Sequence, residues 1–181
     1  MSFKNNKGIS YIEFILVLAI MVLVTGLVTV TMGIVNRNNV TKAADKVSTG
    51  INHAKTLSLS KGTKKGAITF VANGGKYYYY YGENENDKYL ICNSPCTMSV
   101  TIKGTSYNIT DNQKIRLKIS PNTGAFVGAD RILNGTSSPL VSNTDGTNGF
   151  SGVNRIIINN NHGKTAKIDL NIHVGTVKVS Y

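Results

Sequence analysis

The chain has 181 residues, a formal net charge of +11 and a hydrophobic content of 41%. This length fits one modest domain together with an anchoring segment. Enzymatic chemistry is not indicated, because the three histidines (His53, His162 and His173) are far apart and no Gly-x-Ser-x-Gly motif or phosphate-binding loop occurs. We therefore expect a non-enzymatic protein without a cofactor or a resident metal.

The N-terminus joins a short basic head to a long apolar run. Lys4, Lys7 and Gly8 come first, and no residue from Phe14 to Val35 is charged. Such a run is long enough for one helix across the roughly 30 Å hydrocarbon core of a membrane. Lys4 and Lys7 fit the positive-inside rule with the N-terminus in the cytoplasm, but Arg37, Lys42 and Lys46 follow the run, so charge alone does not decide the orientation. The sequence thus predicts a single transmembrane helix.

Glu13 is the one acidic residue at the start of this apolar run. An ionised carboxylate at the edge of a lipid-embedded helix costs on the order of a few kcal/mol, so it is expected to have a partner and a function. The alternative is that Glu13 lies in the headgroup layer and has no role.

The stretch Lys7-Gly8-Ile9-Ser10-Tyr11-Ile12-Glu13 resembles the class III leader of type IV prepilins and type II secretion pseudopilins. An ordinary secretory signal is cut after its apolar region, whereas here the glycine precedes that region. The resemblance implies that a prepilin peptidase cuts between Gly8 and Ile9 and methylates the new N-terminus at Ile9. It also implies that Glu13 pairs with the α-amino group of a neighbouring subunit.

The same resemblance implies the partners and the location of the protein. The partners are other pilins or pseudopilins in a helical filament, the prepilin peptidase, an inner-membrane assembly platform and the membrane itself. The expected location is the bacterial cytoplasmic membrane, with a single span, and then an extracellular pilus or pseudopilus. Type IV pili, type II secretion systems and competence pseudopili share these motifs, so the sequence leaves the machine open.

A second apolar pattern follows the first run. Apolar residues recur at spacings of three and four, which indicates one buried stripe on a helix: Val40, Ala44, Val47, Ile51, Ala54 and Leu57. No proline interrupts residues 9–61, and Lys61-Gly62 is a helix stop signal. The predicted organisation is a leader at 1–8, a transmembrane helix at 9–35, an amphipathic helix at 36–61 and a β-rich head at 62–181.

Beyond Gly66 the apolar period changes to two. Residues 67–71 and 76–81 flank Asn73-Gly74-Gly75, which predicts a β-hairpin. Residues 134–152 are rich in Gly, Ser, Asn and Thr and are predicted to form a long loop. Further strands are predicted at 88–92, 96–102, 114–120, 125–127, 155–159, 164–173 and 176–180. The expected fold is α+β, a long N-terminal helix packed on a C-terminal antiparallel β-sheet head, as in type IV pilins.

A weaker resemblance concerns the end of the helix. Residues 51–62, followed by Ile68-Thr69-Phe70, are similar to the A-R-x-x-A-x-x-x-G…V-x-L passage of H-type minor pseudopilins and FimT-like minor pilins. Lys55 and Lys61 stand where that family usually has arginine. The similarity implies a minor subunit.

Three features of the head allow alternative interpretations. Cys92 and Cys96 most simply form one disulfide outside the cytoplasm, with free thiols or metal binding as alternatives. The five tyrosines at 77–81 form either an ordinary strand or a stacking platform. The acidic cluster at 83–87 is either a solvated turn or a calcium site.

The basic residues suggest a second function. Lys61, Lys64 and Lys65 cluster at the predicted helix end, and Lys114, Arg116 and Lys118 alternate along one strand. Such patches attract phosphate backbones, and some FimT-like minor pilins bind DNA for uptake. A receptor head that binds DNA or a surface ligand is therefore the alternative to a purely structural subunit.

Overall fold

The computed structural model describes residues 11–142, 154–160 and 163–181, except for the side chains of residues 27–38 and 141–142. The predicted leader at 1–8, and with it Gly8 and Ile9, lies outside the described residues. The chain forms two compact units, Met1–Asn36 and Arg37–Tyr181.

Helix α1 comprises Tyr11–Lys61. Its first turn carries Glu13, and a carboxylate there interacts favourably with the positive end of the helix dipole. The helix ends at Lys61 because Gly62 adopts a left-handed φ of 85°, and the Gly62 N–H donates a 2.9 Å hydrogen bond to the carbonyl oxygen of Ser58. A single turn, α2, follows at Thr63–Gly66.

The rest of the described chain forms strands in two antiparallel sheets. Sheet A has the strand order β3-β2-β1-β6-β7-β8, and sheet B has the order β11-β10-β9-β4-β5. The strands are β1 Ile68–Asn73, β2 Lys76–Tyr81, β3 Tyr89–Asn93, β4 Cys96–Ile102, β5 Thr105–Asn108, β6 Gln113–Ile119, β7 Phe126–Leu133, β8 Thr136–Ser142, β9 Arg155–Asn160, β10 Thr165–Asn171 and β11 Thr176–Ser180.

The predicted first hairpin is confirmed. Strands β1 and β2 pair in register from Ile68↔Tyr81 to Asn73↔Lys76, with Gly74 and Gly75 in the turn. Two strands went unpredicted, β5 and β8. Strand β8 starts inside the segment that was predicted to be a long loop, and it pairs with β7.

The segment between β3 and β4 does not close a hairpin. The two strands lie in different sheets, so Asn93-Ser94-Pro95 carries the chain from sheet A to sheet B. Cys92 and Cys96 form a disulfide across this crossing, with their Cα atoms 6.4 Å apart. The disulfide therefore links the end of an edge strand of sheet A to the start of an inner strand of sheet B.

Within the unit Arg37–Tyr181, one hydrophobic core joins α1 to both sheets. The stripe from Val40 to Ala54 is buried, and it belongs to the same cluster as Phe70 of sheet A and Ile156 of sheet B. Gly50 lets the helix approach β2 closely, because a Cβ atom on Gly50 would lie 2.8 Å from the Tyr79 ring. The core is therefore shared by the helix and the two sheets.

The expected fold class is wrong. In the residues that the structure describes, eleven strands form two antiparallel sheets, so the chain is mostly β and not α+β with a single β-sheet head. The error comes from strand order, because the alternating pattern that marks a strand does not reveal which sheet the strand joins.

The predicted membrane span is also wrong. Across residues 11–142, 154–160 and 163–181, no helix is both long enough and apolar enough to cross a membrane. The side chains of residues 27–35, the second part of the predicted span, lie outside the described ones. This finding overturns the expected single-pass location in a membrane.

The buried Ser58 gives a test of how the helix docks on sheet A. Its hydroxyl donates a 2.6 Å hydrogen bond to the carbonyl oxygen of Ile119 at the end of β6. We expect Ser58→Ala to lower the free energy of unfolding by about 1–2 kcal/mol, because a buried carbonyl loses its partner. Chemical denaturation followed by circular dichroism measures this change.

Ser60→Ala is the matched control. The exposed Ser60 hydroxyl donates to carbonyl oxygens of its own helix, those of Thr56 at 2.9 Å and Leu57 at 3.3 Å. Its removal should change the stability by no more than about 0.5 kcal/mol. Equal effects of the two substitutions would contradict the docking contact.

Candidate functional site

The first part of α1 exposes apolar side chains in the unit Met1–Asn36. Between Tyr11 and Val24 the large apolar side chains are exposed by 46% (Leu18) to 80% (Tyr11). Successive residues of an α-helix are rotated by about 100°, so an uninterrupted apolar run covers every side of the helix. This surface, residues 11–24, is called the apolar collar below.

Glu13 is the one charged residue of the apolar collar. It shares one side of the helix with Ile12, Leu16 and Val17, which line a shallow apolar concavity beside it. The geometry therefore combines a large unburied apolar surface with one carboxylate. Gly8 and Ile9, the other predicted residues of this site, lie outside the described part of the chain.

Three of the predicted DNA-contacting residues are exposed. Lys61 lies in the last turn of α1, and Lys64 and Lys65 lie on α2, all with exposed side chains. Helix α2 contacts β6, which carries the other three predicted cations. The structure thus brings the two predicted basic groups to neighbouring elements.

The cations on β6 are engaged with other side chains of the head. The Lys114 Nζ atom lies 2.5 Å from Glu85 Oε1, and the Lys118 Nζ atom lies 2.8 Å from Asp130 Oδ2. Arg116 donates a 3.1 Å hydrogen bond from Nε to the Thr69 hydroxyl. A phosphate backbone would have to compete with two carboxylates here, so the geometry does not favour DNA contact along β6.

The acidic cluster at 83–87 is a turn held by hydrogen bonds within it and by contacts of Glu85 with β2 and β6. Glu85 accepts hydrogen bonds from the Tyr80 hydroxyl at 3.1 Å and from Lys114, and Asn84 donates to Asp87 at 3.0 Å. Lys114 lowers the pKa of the Glu85 carboxyl through its hydrogen bond, against a smaller opposing effect of burial. In the described part of the chain, no group of three or more His, Cys, Asp or Glu side chains forms a metal-binding cluster.

The tyrosine run at 77–81 does not form an exposed platform. Tyr79 and Tyr80 are buried on opposite faces of β2, and Tyr77, Tyr78 and Tyr81 are half-buried. Tyr79 faces the helix, and Tyr81 makes an edge contact with the ring of His53 at 4.8 Å. The run is a packed strand, in which Tyr79 faces α1 and the Tyr80 hydroxyl, on the opposite face, donates a hydrogen bond to Glu85.

The two histidines that the structure describes belong to no metal-binding cluster of its described residues, in keeping with their distance in the sequence. His53 is exposed beside Tyr81, His173 lies in the turn between β10 and β11, and His162 lies outside the described residues.

No protein-family model matches the chain, no curated protein matches its sequence, and no solved structure matches its fold.

One concave site escaped the sequence analysis. A pocket of about 480 Å³ is lined by residues of β2, β4, β5 and β9 and by the segment after β5. Its residues are separated by up to 82 positions in the chain, from Tyr77 to Asn159. They follow no spacing rule, so no sequence motif indicated the site.

A substitution of Glu85 tests the ion pair that this residue forms with Lys114 on β6. Because its folded-state pKa lies below the ordinary value of 4.5, its ionised form stabilises the fold above that value, and this contribution is lost as the pH falls through the folded-state pKa. We expect Glu85→Gln to destabilise the protein by about 0.5–1 kcal/mol near neutral pH, the range of partly exposed ion pairs. The difference from the wild type should shrink in acid.

Thermal unfolding as a function of pH measures this effect. Glu83→Gln is the control, since Glu83 is an exposed carboxylate of the same turn. A destabilisation that does not depend on pH, or one that Glu83→Gln reproduces, would contradict the ion pair between Glu85 and Lys114.

Proposed function

We propose that the chain is a structural subunit, in the role of a minor component, of a bacterial filament of the type IV pilus or type II secretion pseudopilus kind. In this proposal the subunits polymerise through α1. The observation that carries it is the apolar collar, whose side chains are exposed on every side of the helix. The resemblance of residues 7–13 to a class III leader supports the same function.

The size of the apolar collar requires several partners. Burying one large apolar side chain completely stabilises a complex by about 1.5–3 kcal/mol, so a dozen half-exposed ones provide on the order of 10 kcal/mol before the entropy cost of association. A single groove covers only one side of a helix. A bundle of similar helices covers all sides, and this is the arrangement that a helical filament provides.

Apolar packing alone does not fix the axial position of one helix against the next. Leu, Ile and Val side chains are interchangeable between neighbouring turns, so a bundle made only of these residues can slide. In our proposal the Glu13 carboxylate pairs with the α-amino group of a neighbouring subunit. Because a buried charge without its counter-charge costs several kcal/mol, only one register satisfies both groups.

That amine must first be created by proteolysis. We propose that a prepilin peptidase cuts between Gly8 and Ile9, so that the ammonium of Ile9 begins the mature chain. Glu13 is then the fifth residue from this ammonium. The assembly platform and other subunits with the same kind of leader are the remaining partners of the proposal.

Glu13→Ala tests the proposed pairing. The variant should still be cleaved after Gly8, since the cut does not involve Glu13, but its recruitment into filaments should fall at least tenfold. The reason is that a neighbouring ammonium would be buried without its carboxylate, at a cost of a few kcal/mol. Glu13→Asp keeps the charge on a shorter side chain and should give an intermediate result. The measurement is the amount of the protein in purified filaments relative to its total amount.

Glu83→Ala is the matched control, because it removes an exposed carboxylate of the turn between β2 and β3. It should enter filaments as the wild type does. Equal incorporation of Glu13→Ala and the wild type would overturn the role of the carboxylate. Loss of cleavage in Glu13→Ala would show that Glu13 serves the peptidase and not the assembly.

A further inference from the structure

The unassigned pocket lies where sheet A approaches sheet B, within the unit Arg37–Tyr181. It has a volume of about 480 Å³, inside the usual range of about 300–1,000 Å³ for sites that bind small molecules. We call it the sheet-junction pocket. It is lined by Tyr77, Thr97, Met98, Ser99, Asn108, Ile109, Thr110, Ile157 and Asn159.

Backbone contacts hold one wall of the pocket in place. The Ile109 N–H donates to the carbonyl oxygen of Met98 at 3.0 Å, and Thr110 and Gln113 exchange two backbone hydrogen bonds at 3.2 and 3.0 Å. The Gln113 side chain also donates from Nε2 to the carbonyl oxygen of Asn108 at 2.8 Å. A wall that is already ordered loses little conformational entropy when a ligand binds.

The polar groups of the pocket are hydroxyls and amides. The Asn159 Oδ1 atom accepts a 3.3 Å hydrogen bond from the Thr165 hydroxyl, which leaves the Asn159 NH₂ group as a donor for the pocket. Within the described residues, the side chains of Ser99 and Asn108 form no intramolecular hydrogen bond. Each of these two groups can both donate and accept.

The lining contains no charged side chain, although the chain has 20 Lys and Arg residues and 9 Asp and Glu residues. A phosphate or a carboxylate would find no counter-charge in it. The accessible apolar part of the wall comes from the half-buried Ile157 and the ring of the half-buried Tyr77. The pocket thus combines neutral groups that can both donate and accept hydrogen bonds with an apolar surface. A sugar has the matching chemistry, because its hydroxyls both donate and accept and its C–H face is apolar.

We propose that the sheet-junction pocket binds a neutral saccharide. Ser99, Asn108 and Asn159 contact the sugar hydroxyls, and Tyr77 packs against the C–H groups of the ring. The site belongs to the unit Arg37–Tyr181 and does not depend on the apolar collar. It would give a filament subunit a ligand of its own, distinct from the contacts that assemble it.

The test uses the full chain with an array of neutral oligosaccharides, followed by calorimetry with cellobiose, maltose, lactose and N,N′-diacetylchitobiose. We expect at least one neutral saccharide to bind, and the double variant Ser99→Ala/Asn108→Ala to weaken that binding at least tenfold. Binding should persist at high salt, because no ion pair contributes to it. Sulfated saccharides on the same array should bind no better than their neutral counterparts.

Ser106→Ala/Asn86→Ala is the matched control, since it removes one exposed Ser and one exposed Asn outside the pocket. It should bind as the wild type does. The proposal is overturned if no neutral saccharide binds, if the Ser99/Asn108 variant binds as tightly as the control, or if only sulfated saccharides bind. Unchanged thermal unfolding of both variants shows that any loss of binding is local.

Discussion

Burial of the apolar stripe of α1 between Val40 and Ala54 is the interaction on which the unit Arg37–Tyr181 depends. These side chains belong to the same core as the inner faces of both sheets. Each sheet has one apolar face, because apolar and polar side chains alternate along its strands. In this protein the helix helps to cover the apolar faces of both sheets. The contacts of Gly50 with Tyr79 and of Ser58 with Ile119 fix where the helix lies against sheet A.

The same helix has two chemically different parts. From Val40 onward its apolar residues form a stripe that is buried against the rest of the chain. Those of the apolar collar are exposed on every side of the helix. The first pattern needs one sheet-like surface, and the second needs several partners. This change of pattern along one helix indicates that its two parts lie in different environments. For this reason the proposed assembly function is assigned to residues 11–24, and the proposed saccharide site to the other unit.

The sequence was most informative where local chemistry decides the structure. The Asn73-Gly74-Gly75 turn located β1 and β2, and β4 and β11 have the bounds that alternation predicted. Strand β5 was missed because Thr105–Asn108 has no apolar alternation, and β8 because Pro139 and its neighbours have the composition of a loop. Both are edge strands, whose pairing demands little of their own side chains.

Long-range arrangements escaped prediction for a different reason. Cys92 and Cys96 suggested a disulfide, but no local signal showed that the strands on either side of it enter different sheets. The ion pairs of Lys114 and Lys118 and the sheet-junction pocket likewise depend on strand order. Glu13 was recognised from the sequence because a lone carboxylate in an apolar run is conspicuous without a structure.

The central claim is that the apolar collar is covered by similar helices of other subunits. A photoreactive amino acid in place of Leu16, in cells that express the full chain, tests this claim directly, with the same residue in place of the exposed Leu59 as the control. Mass spectrometry of the crosslinked products identifies the contacted peptide. The proposal predicts crosslinks from position 16 to the N-terminal apolar helix of a second copy or of another subunit with the same kind of leader, and none of these from position 59. Crosslinks from position 16 only to lipid, or only to the strands of its own chain, would contradict it.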